Sequence, residues 1–218
     1  MNIAPRLATE ADVPYLARLY RMATSGLMDA TYADLVADAP LEKLLEWRFT
    51  QPGSIRSYEH CLIAQEDSRV AGMIYAFPIG GLEEAPSDPR LTAEGLGFLA
   101  PAIELLHQIG SSSYYISAVA VYPEFRGGGI ATRLIAAAAL DAQRLDFPEL
   151  SLLSFEQNDL ATPLYRRLNF EITARSRVIP HPLIHHTGDL LLMRRPLGPE
   201  GKMRGPRAED AASRRDRA

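Results

Sequence analysis

Apolar positions along the chain change spacing repeatedly, and each change predicts an element. Asn2 to Leu7 fits a short strand. Thr9 stands three residues before Asp12, and Val13, Leu16, Leu19 and Tyr20 then recur at intervals of three and four, which predicts a helix from about Glu10 to Thr24. Gly26 interrupts this run, and Leu41, Leu44, Leu45 and Phe49 mark a second helix. His60 to Gln65 and Val70 to Phe77 predict two strands joined through the polar turn EDSR, a hairpin. Between Pro78 and Gly110 the pattern is broken by Gly80, Gly81, Pro86, Pro89, Gly95 and Gly97. A short helix is expected there only over Phe98 to Ile109, inside an insertion that precedes a core strand. Tyr114 to Val121, aromatic and β-branched, is that strand. EFRGGG leads into IATRLIAAAALDAQRL, a helix apolar around much of its circumference and therefore expected to pack on a sheet. Leu150 to Phe155 predicts a strand and Leu160 to Leu168 a helix. Phe170 to Ile179 and Gly188 to Arg195 predict paired strands across HPLIHHT. The alternation indicates a mixed α/β fold without internal repeats.

Length and composition narrow the setting. A chain of 218 residues, 47% hydrophobic and 23% charged, supports one sizeable core, expected over residues 1–197. From Gly198 to Ala218 there is one Met and no branched aliphatic or aromatic residue, so a disordered tail is expected. No run of about 18 apolar residues occurs, and acidic residues interrupt the first segment early, which argues against a membrane span and a secretory signal. The single cysteine, Cys61, has no intramolecular disulfide partner and no second thiolate for a metal site. A reducing, cytoplasmic location and a buried structural role for Cys61 are expected. A net charge of −4 argues against sequence-independent nucleic-acid binding. All but two of the 23 basic residues are arginines, a bias to which no function is assigned.

The first segment that carries chemistry is VAVYPEFRGGGIATRL, Val119 to Leu134. A strand passes through a glycine turn directly into a helix, so consecutive backbone N–H groups point outward at the positive end of the helix. A pyrophosphate suits that geometry, with glycines admitting the anion and Arg126 adding charge-assisted bonds. A plain sharp turn with a surface arginine would look the same. A P-loop needs Lys then Ser or Thr after its last glycine, yet Ile130 and Ala131 follow Gly129. The dinucleotide pattern GxGxxG fails at Thr132. Arg126, Gly127, Gly128, Gly129, Ile130 and Ala131 instead follow the pattern Arg or Gln, two residues, Gly, one residue, Gly or Ala. With Val119, Ala120, Val121 and Pro123 before it, the segment resembles the acyl-CoA pyrophosphate loop of the GNAT superfamily of N-acyltransferases.

A second segment lies where that superfamily would place it. SLLSFEQNDLATPLYRRLNF resembles the family's Asn, Ala, Leu-Tyr, Gly-Phe signature, with Asn158, Ala161, Leu164, Tyr165, Asn169 and Phe170 in register. Asn158 sits where a strand gives way to a helix, as an amide for the pantetheine arm or simply a helix cap. Asn169 replaces the usual glycine, and both residues tolerate a left-handed backbone after a helix. A tyrosine at position 165 on an amphipathic helix is commonly a core residue. The resemblance instead implies that its hydroxyl lies near the CoA sulfur and gives its proton to the departing thiolate.

The resemblance further implies a twisted mixed sheet of about seven strands with helices on both faces. Strands ending near Val121 and Phe155 would splay to hold acyl-CoA. The backbone N–H of Val119 or Ala120 would stabilise the developing oxyanion. Acetyl-CoA is the implied acyl donor, with Val119, Ala120, Val121, Arg126, Gly127, Gly128, Gly129, Ile130, Ala131, Thr132, Asn158 and Tyr165 as its binding residues and Tyr165 as the catalytic acid. No metal is implied. The expected reaction is direct attack of a primary amine in a ternary complex, with a small-molecule acceptor favoured and a homodimer through the C-terminal strands possible by family analogy. The alternatives are a catalytically weak acyl-CoA sensor, an enzyme acting on a protein N-terminus or lysine, and a different nucleotide in the glycine turn. Glu104, His107, Glu124 and Glu156 are candidate bases, none compelling. Gly26 to Leu35 and Gly80 to Gly110 are expected to shape the acceptor pocket. There Asp29, Glu83, Glu84 and Asp88 either attract a cationic amine or are ordinary solvated acids, the reading favoured here. Alternate residues among Tyr114, Tyr115 and Ser117 must face the cleft or the core, and the sequence does not choose. His181, His185 and His186 lie among Pro180, Pro182 and Gly188, a loop context that disfavours a metal site.

Overall fold

The computed structural model describes residues 4–36, 39–51, 53–82 and 88–198. Its chain runs β1 (Arg6–Leu7), α1 (Val13–Ala23), α2 (Leu27–Thr31), α3 (Leu41–Phe49), β2 (Cys61–Glu66), β3 (Arg69–Pro78), α4 (Ala93–Leu106), β4 (Ser113–Val121), α5 (Ile130–Arg144), β5 (Glu149–Phe155), α6 (Ala161–Arg167), β6 (Glu171–Arg177) and β7 (Asp189–Pro196). One seven-stranded sheet has the order β1-β2-β3-β4-β5-β7-β6. Among the described residues only β4 and β5 pair in parallel, joined by the crossover helix α5.

Local chemistry explains the element ends. Thr9 and Asp12 form the expected capping box, and Arg6 grips both Asp12 carboxylate oxygens at 2.8 Å. The β2–β3 hairpin turns at Asp67 and Ser68, both with positive φ, which matches the right-handed strand twist. Asn169 has φ +63°, the left-handed backbone expected of it after a helix. Helices α1 to α4 cover one sheet face and α5 and α6 the other, giving two cores. Under the first face runs a chain of ring contacts, Tyr20–Phe49–Tyr75–Phe77–Tyr115, with centroids 5.0 to 5.7 Å apart. Cys61 is fully buried.

The functional geometry arises from one irregularity in β4. Tyr75 pairs with Ala118 and Ala76 with Ile116, which leaves Ser117 as an extra residue, a β-bulge. A bulge bends a strand and increases its twist. Parallel pairing with β5 starts at Ser113–Glu149, where Ser113 Oγ donates to Ser151 Oγ at 2.7 Å, and stops at Ile116–Leu152. Beyond it β5 continues on β7 alone, and the sheet is split.

Several expectations need correction. Of the strand expected over Asn2 to Leu7, Arg6–Leu7 is a strand among the described residues and Asn2 lies outside them, and α2 was not expected. The helix in the insertion runs over Ala93–Leu106 rather than Phe98 to Ile109. Thr92 caps it through Gly95 N at 3.0 Å, and Gly95 and Gly97 are helical despite their poor propensity. Packing of α4 on α2 and β6 overrides the glycine signal. The strand expected at Phe170 to Ile179 is Glu171–Arg177. All of the expected tail beyond Gly198 lies outside the described residues, as do Glu83 and Glu84.

Candidate active site

The split opens into a cleft of about 1510 Å³. Its walls include β4 from Tyr115 to Val121, β5 from Leu153 to Phe155, the glycine turn, α6, and residues of α1, α2 and α4. Strand alternation decides which backbone groups face it. Tyr122 N–H donates to Ala71 O on β3, so Val121 and Val119, one and three residues earlier, point their polar groups toward the open side. Consistently, Val121 O accepts from Arg126 Nε at 3.1 Å. Of the two residues named from the sequence for the oxyanion, Val119 therefore turns its polar groups toward the open side and Ala120 turns its own toward β3. Tyr115 lines the cleft, whereas Tyr114 faces α5 and donates to Ala76 O.

At the mouth, Gly127 and Gly129 have φ of +83° and +74°, the left-handed region that side chains disfavour. A Cβ at 127, 128 or 129 would meet nothing within 4 Å, so the space above this turn is open. Gly129 caps the 15-residue α5 without a side-chain bond, and the first turn holds no acid. Its leading N–H groups are therefore available to an anion at the positive helix end. Arg126, Gly127, Gly129, Ile130, Ala131 and Thr132 line the cleft. Gly128 is the exception among the predicted residues: it shapes the turn but does not contribute to the wall.

Across the split, Asn158 Oδ1 accepts from Ala161 N at 3.0 Å and Asn158 O from Thr162 N, which fixes the start of α6. Its side-chain NH2 remains as a donor on the cleft wall. Tyr165 is buried in the α5–α6 core, edge-on to Phe170 at 5.8 Å, yet it also lines the cleft. Among the described residues no group hydrogen-bonds its hydroxyl. Burial alone pushes this phenol up to about 12, so it stays protonated at physiological pH.

The candidate bases fare unequally. Glu124 pairs with Arg69, Glu156 with Arg175, and Glu104 accepts from Ser176 Oγ at 2.5 Å; none of the three lines the cleft. His107 does, as do His185 and His186. Burial, then the neighbouring His185, hold His186 below the ordinary histidine range, which favours its neutral, proton-accepting form. Asp29 is bound by Arg21, at 2.6 and 3.0 Å. Asp88, expected to be solvated, is buried, accepting from Tyr32 Oη at 2.9 Å and from Arg90 through both oxygens. Sequence reasoning also missed Arg48 and Arg56, which line the cleft among aromatic residues. One arginine among so many gives no sequence signal that it is turned inward. Among the described residues no group of three or more His, Cys, Asp or Glu is gathered to hold a metal, and no helix is long and apolar enough to cross a membrane.

A seven-stranded mixed sheet split between its parallel strands, with a glycine turn and helix N-terminus at the split, is the architecture of the GNAT N-acetyltransferases. The sequence profile described as the acetyltransferase (GNAT) family matches residues 22–170, and the chain belongs to that family. A sequence search of curated proteins returns no match. Among solved structures, an N-acetyltransferase from Staphylococcus aureus Mu50 is similar at 21% identity and TM-score 0.61, over 87% of this chain and 98% of that one. An apo agmatine N-acetyltransferase is similar at 15% identity and TM-score 0.63, over 90% of this chain and 100% of that one. The yncA protein of Salmonella typhimurium, solved with acetyl-CoA, is similar at 17% identity and TM-score 0.52, over 95% and 99%. At these identities the likeness is one of fold.

Proposed function

We propose that the protein transfers an acetyl group from acetyl-CoA to the primary amine of a small molecule, by direct attack in a ternary complex. The observation that carries this reading is the convergence on one cleft of an unpaired β4 edge, an uncapped α5 N-terminus and the Tyr165 hydroxyl, which has no partner among the described residues. A pantetheine fits the first as an added strand would, because the Val119 and Val121 polar groups face the split. A pyrophosphate fits the second, because the Gly127 and Gly129 backbone leaves the N–H groups uncovered.

Acetyl-CoA supplies an activated acetyl group whose C–S bond breaks as the bond to the amine nitrogen forms. The chain supplies position, polarisation and protons. Val119 N–H is placed to polarise the carbonyl, and Arg126 and the first turn of α5 hold the phosphates. His186 or His107 takes the proton released by the amine, directly or through water, and Tyr165 gives its proton to the departing sulfur. The apolar wall that Leu99, Ile103 and Leu106 of α4 give the cleft favours a small acceptor over a polypeptide. Calorimetric titration with CoA and acetyl-CoA, followed by a thiol-release screen across amine classes, tests the reading. Binding with release on one amine class is expected. Binding without release would indicate a sensor, and absence of binding would refute the assignment of the glycine turn.

A further inference from the structure

Two arginines in the cleft have no counter-charge among the described residues. Arg48, near the end of α3, stacks on the Tyr20 ring at 4.8 Å and lies 5.7 Å from that of Tyr75. Arg56 sits on the loop after α3, which is closed by the Thr50–Ser57 bridge, by Arg56 N–H on Ser54 Oγ, and by Tyr75 Oη donating to Ile55 O at 2.6 Å. That loop is built to hold its arginine over the cleft wall. The Nε atoms of both residues are buried without a partner, and among the described residues neither guanidinium donates to a protein acceptor. Burial, then the charge of Arg48, hold Arg56 below the ordinary arginine range, so the two cations act on each other. Asp88, a carboxylate on the same wall, is engaged by Arg90 and Tyr32. Stacking on tyrosine faces orients Arg48 but does not neutralise it. Two neighbouring guanidiniums with open donors, partly removed from water, form a receptor for an anion, and a carboxylate matches their fork geometry.

We infer that the acceptor is an amine that also carries a carboxylate, an amino-acid-like molecule whose anionic end is bound by Arg48 and Arg56. The inference deepens the transferase reading and rests on it for the fate of the amine, but anion binding is measurable without turnover. Asp29 and Asp88 do not attract a cationic amine here, because the fold assigns each of them an arginine.

The test is calorimetric titration of N-acetyl amino acids with aromatic, aliphatic and acidic side chains, each against its decarboxylated N-acetyl amine. It is run with and without saturating CoA on the wild type, Arg56→Gln and Arg56→Lys. At least one carboxylate is expected to bind about tenfold or more tightly than its decarboxylated partner. Arg56→Gln should remove most of that preference and Arg56→Lys should retain part of it, with CoA affinity unchanged in both. Arg48→Met is a second probe, read only after its thermal unfolding matches the wild type. Equal or weaker binding of every carboxylate, or a preference that survives Arg56→Gln intact, overturns the inference. Loss of CoA binding by the wild type would instead overturn the transferase reading, and the comparison made without CoA would still decide the anion site.

Discussion

Tyr165→Phe removes one oxygen and leaves the ring where it is. The ring's contact with Phe170 at 5.8 Å is preserved, and no described residue loses a hydrogen-bond partner, so stability should change by no more than about 0.5 kcal/mol. Catalysis should change far more. A phenol near its ordinary 10 would protonate a thiolate of pKa about 8.5 across a gap of about 1.5 units. Burial raises Tyr165 to about 12 and widens the gap to about 3.5 units, or ~5 kcal/mol between the free groups. A weaker acid contributes less, so the lower end of general-acid catalysis applies, about a hundredfold in kcat, or ~2.7 kcal/mol. The assay is thiol release with a chromogenic disulfide, using an amine accepted by the wild type, from pH 6.5 to 10. The expected result is kcat about a hundredfold lower, KM for acetyl-CoA within about threefold, and a deficit that narrows above pH 8.5, where the thiolate no longer needs a proton. The wild-type tyrosine remains protonated across this range and keeps its rate. A variant within about threefold of wild type at pH 7, or a deficit independent of pH, would refute the acid role.

Three further outcomes follow from local geometry. Gly129→Ala meets no neighbouring atom but keeps φ at +74°, so it should cost about 1 kcal/mol of stability while CoA affinity by calorimetry falls more than tenfold, as the methyl covers the helix end. Gly26→Ala has φ +89° and would drive its Cβ to 1.7 Å from Leu183 O. Chemical denaturation should show a loss above about 2 kcal/mol and, by freeing the segment that His185 N–H ties to Ser25 O at 2.9 Å, weakened function. Arg6 first, together with the Thr9 bonds, lowers the Asp12 carboxyl from 3.8 to about 2 against the opposing cost of burial. A depressed folded-state pKa gives stability that is present above about 3.8 and lost as pH falls toward 2. Asp12→Asn should therefore cost about 1 kcal/mol at pH 7, allowing for solvent screening around the half-exposed Arg6, and much less at pH 2, where the folded carboxyl is about half protonated. Denaturant midpoints at both pH values check it.

Elements whose signals are local were legible. The capping box at Thr9 and Asp12, the polar turn at Asp67 and Ser68, and the strand-to-helix turn at Arg126 to Gly129 each fix backbone angles within a few residues, and their expected positions match the fold. Where packing opposes propensity, the reading failed. Gly95 and Gly97 marked a break, but they lie in α4 because its contacts with α2 and β6 outweigh the glycine penalty. The bulge at Ser117 leaves no trace in SAVAV, since an extra residue exists only relative to a partner strand.

The sequence by itself determined the alternation of elements, the family through two motifs about thirty residues apart, and the residue types of the candidate site. These depend on identity and spacing along the chain. Only the tertiary structure decided that β4 parts from β5 at Ile116, that Val119 rather than Ala120 faces the split, that Tyr165 is desolvated, and that Glu104, Glu124 and Glu156 are held off the cleft wall. It alone set Arg48 and Arg56 over that wall and gave Asp88 to Arg90. Charge and acidity at a site are set by what surrounds a group in space, and neighbours such as Tyr32 and Asp88, 56 positions apart, are joined only by folding.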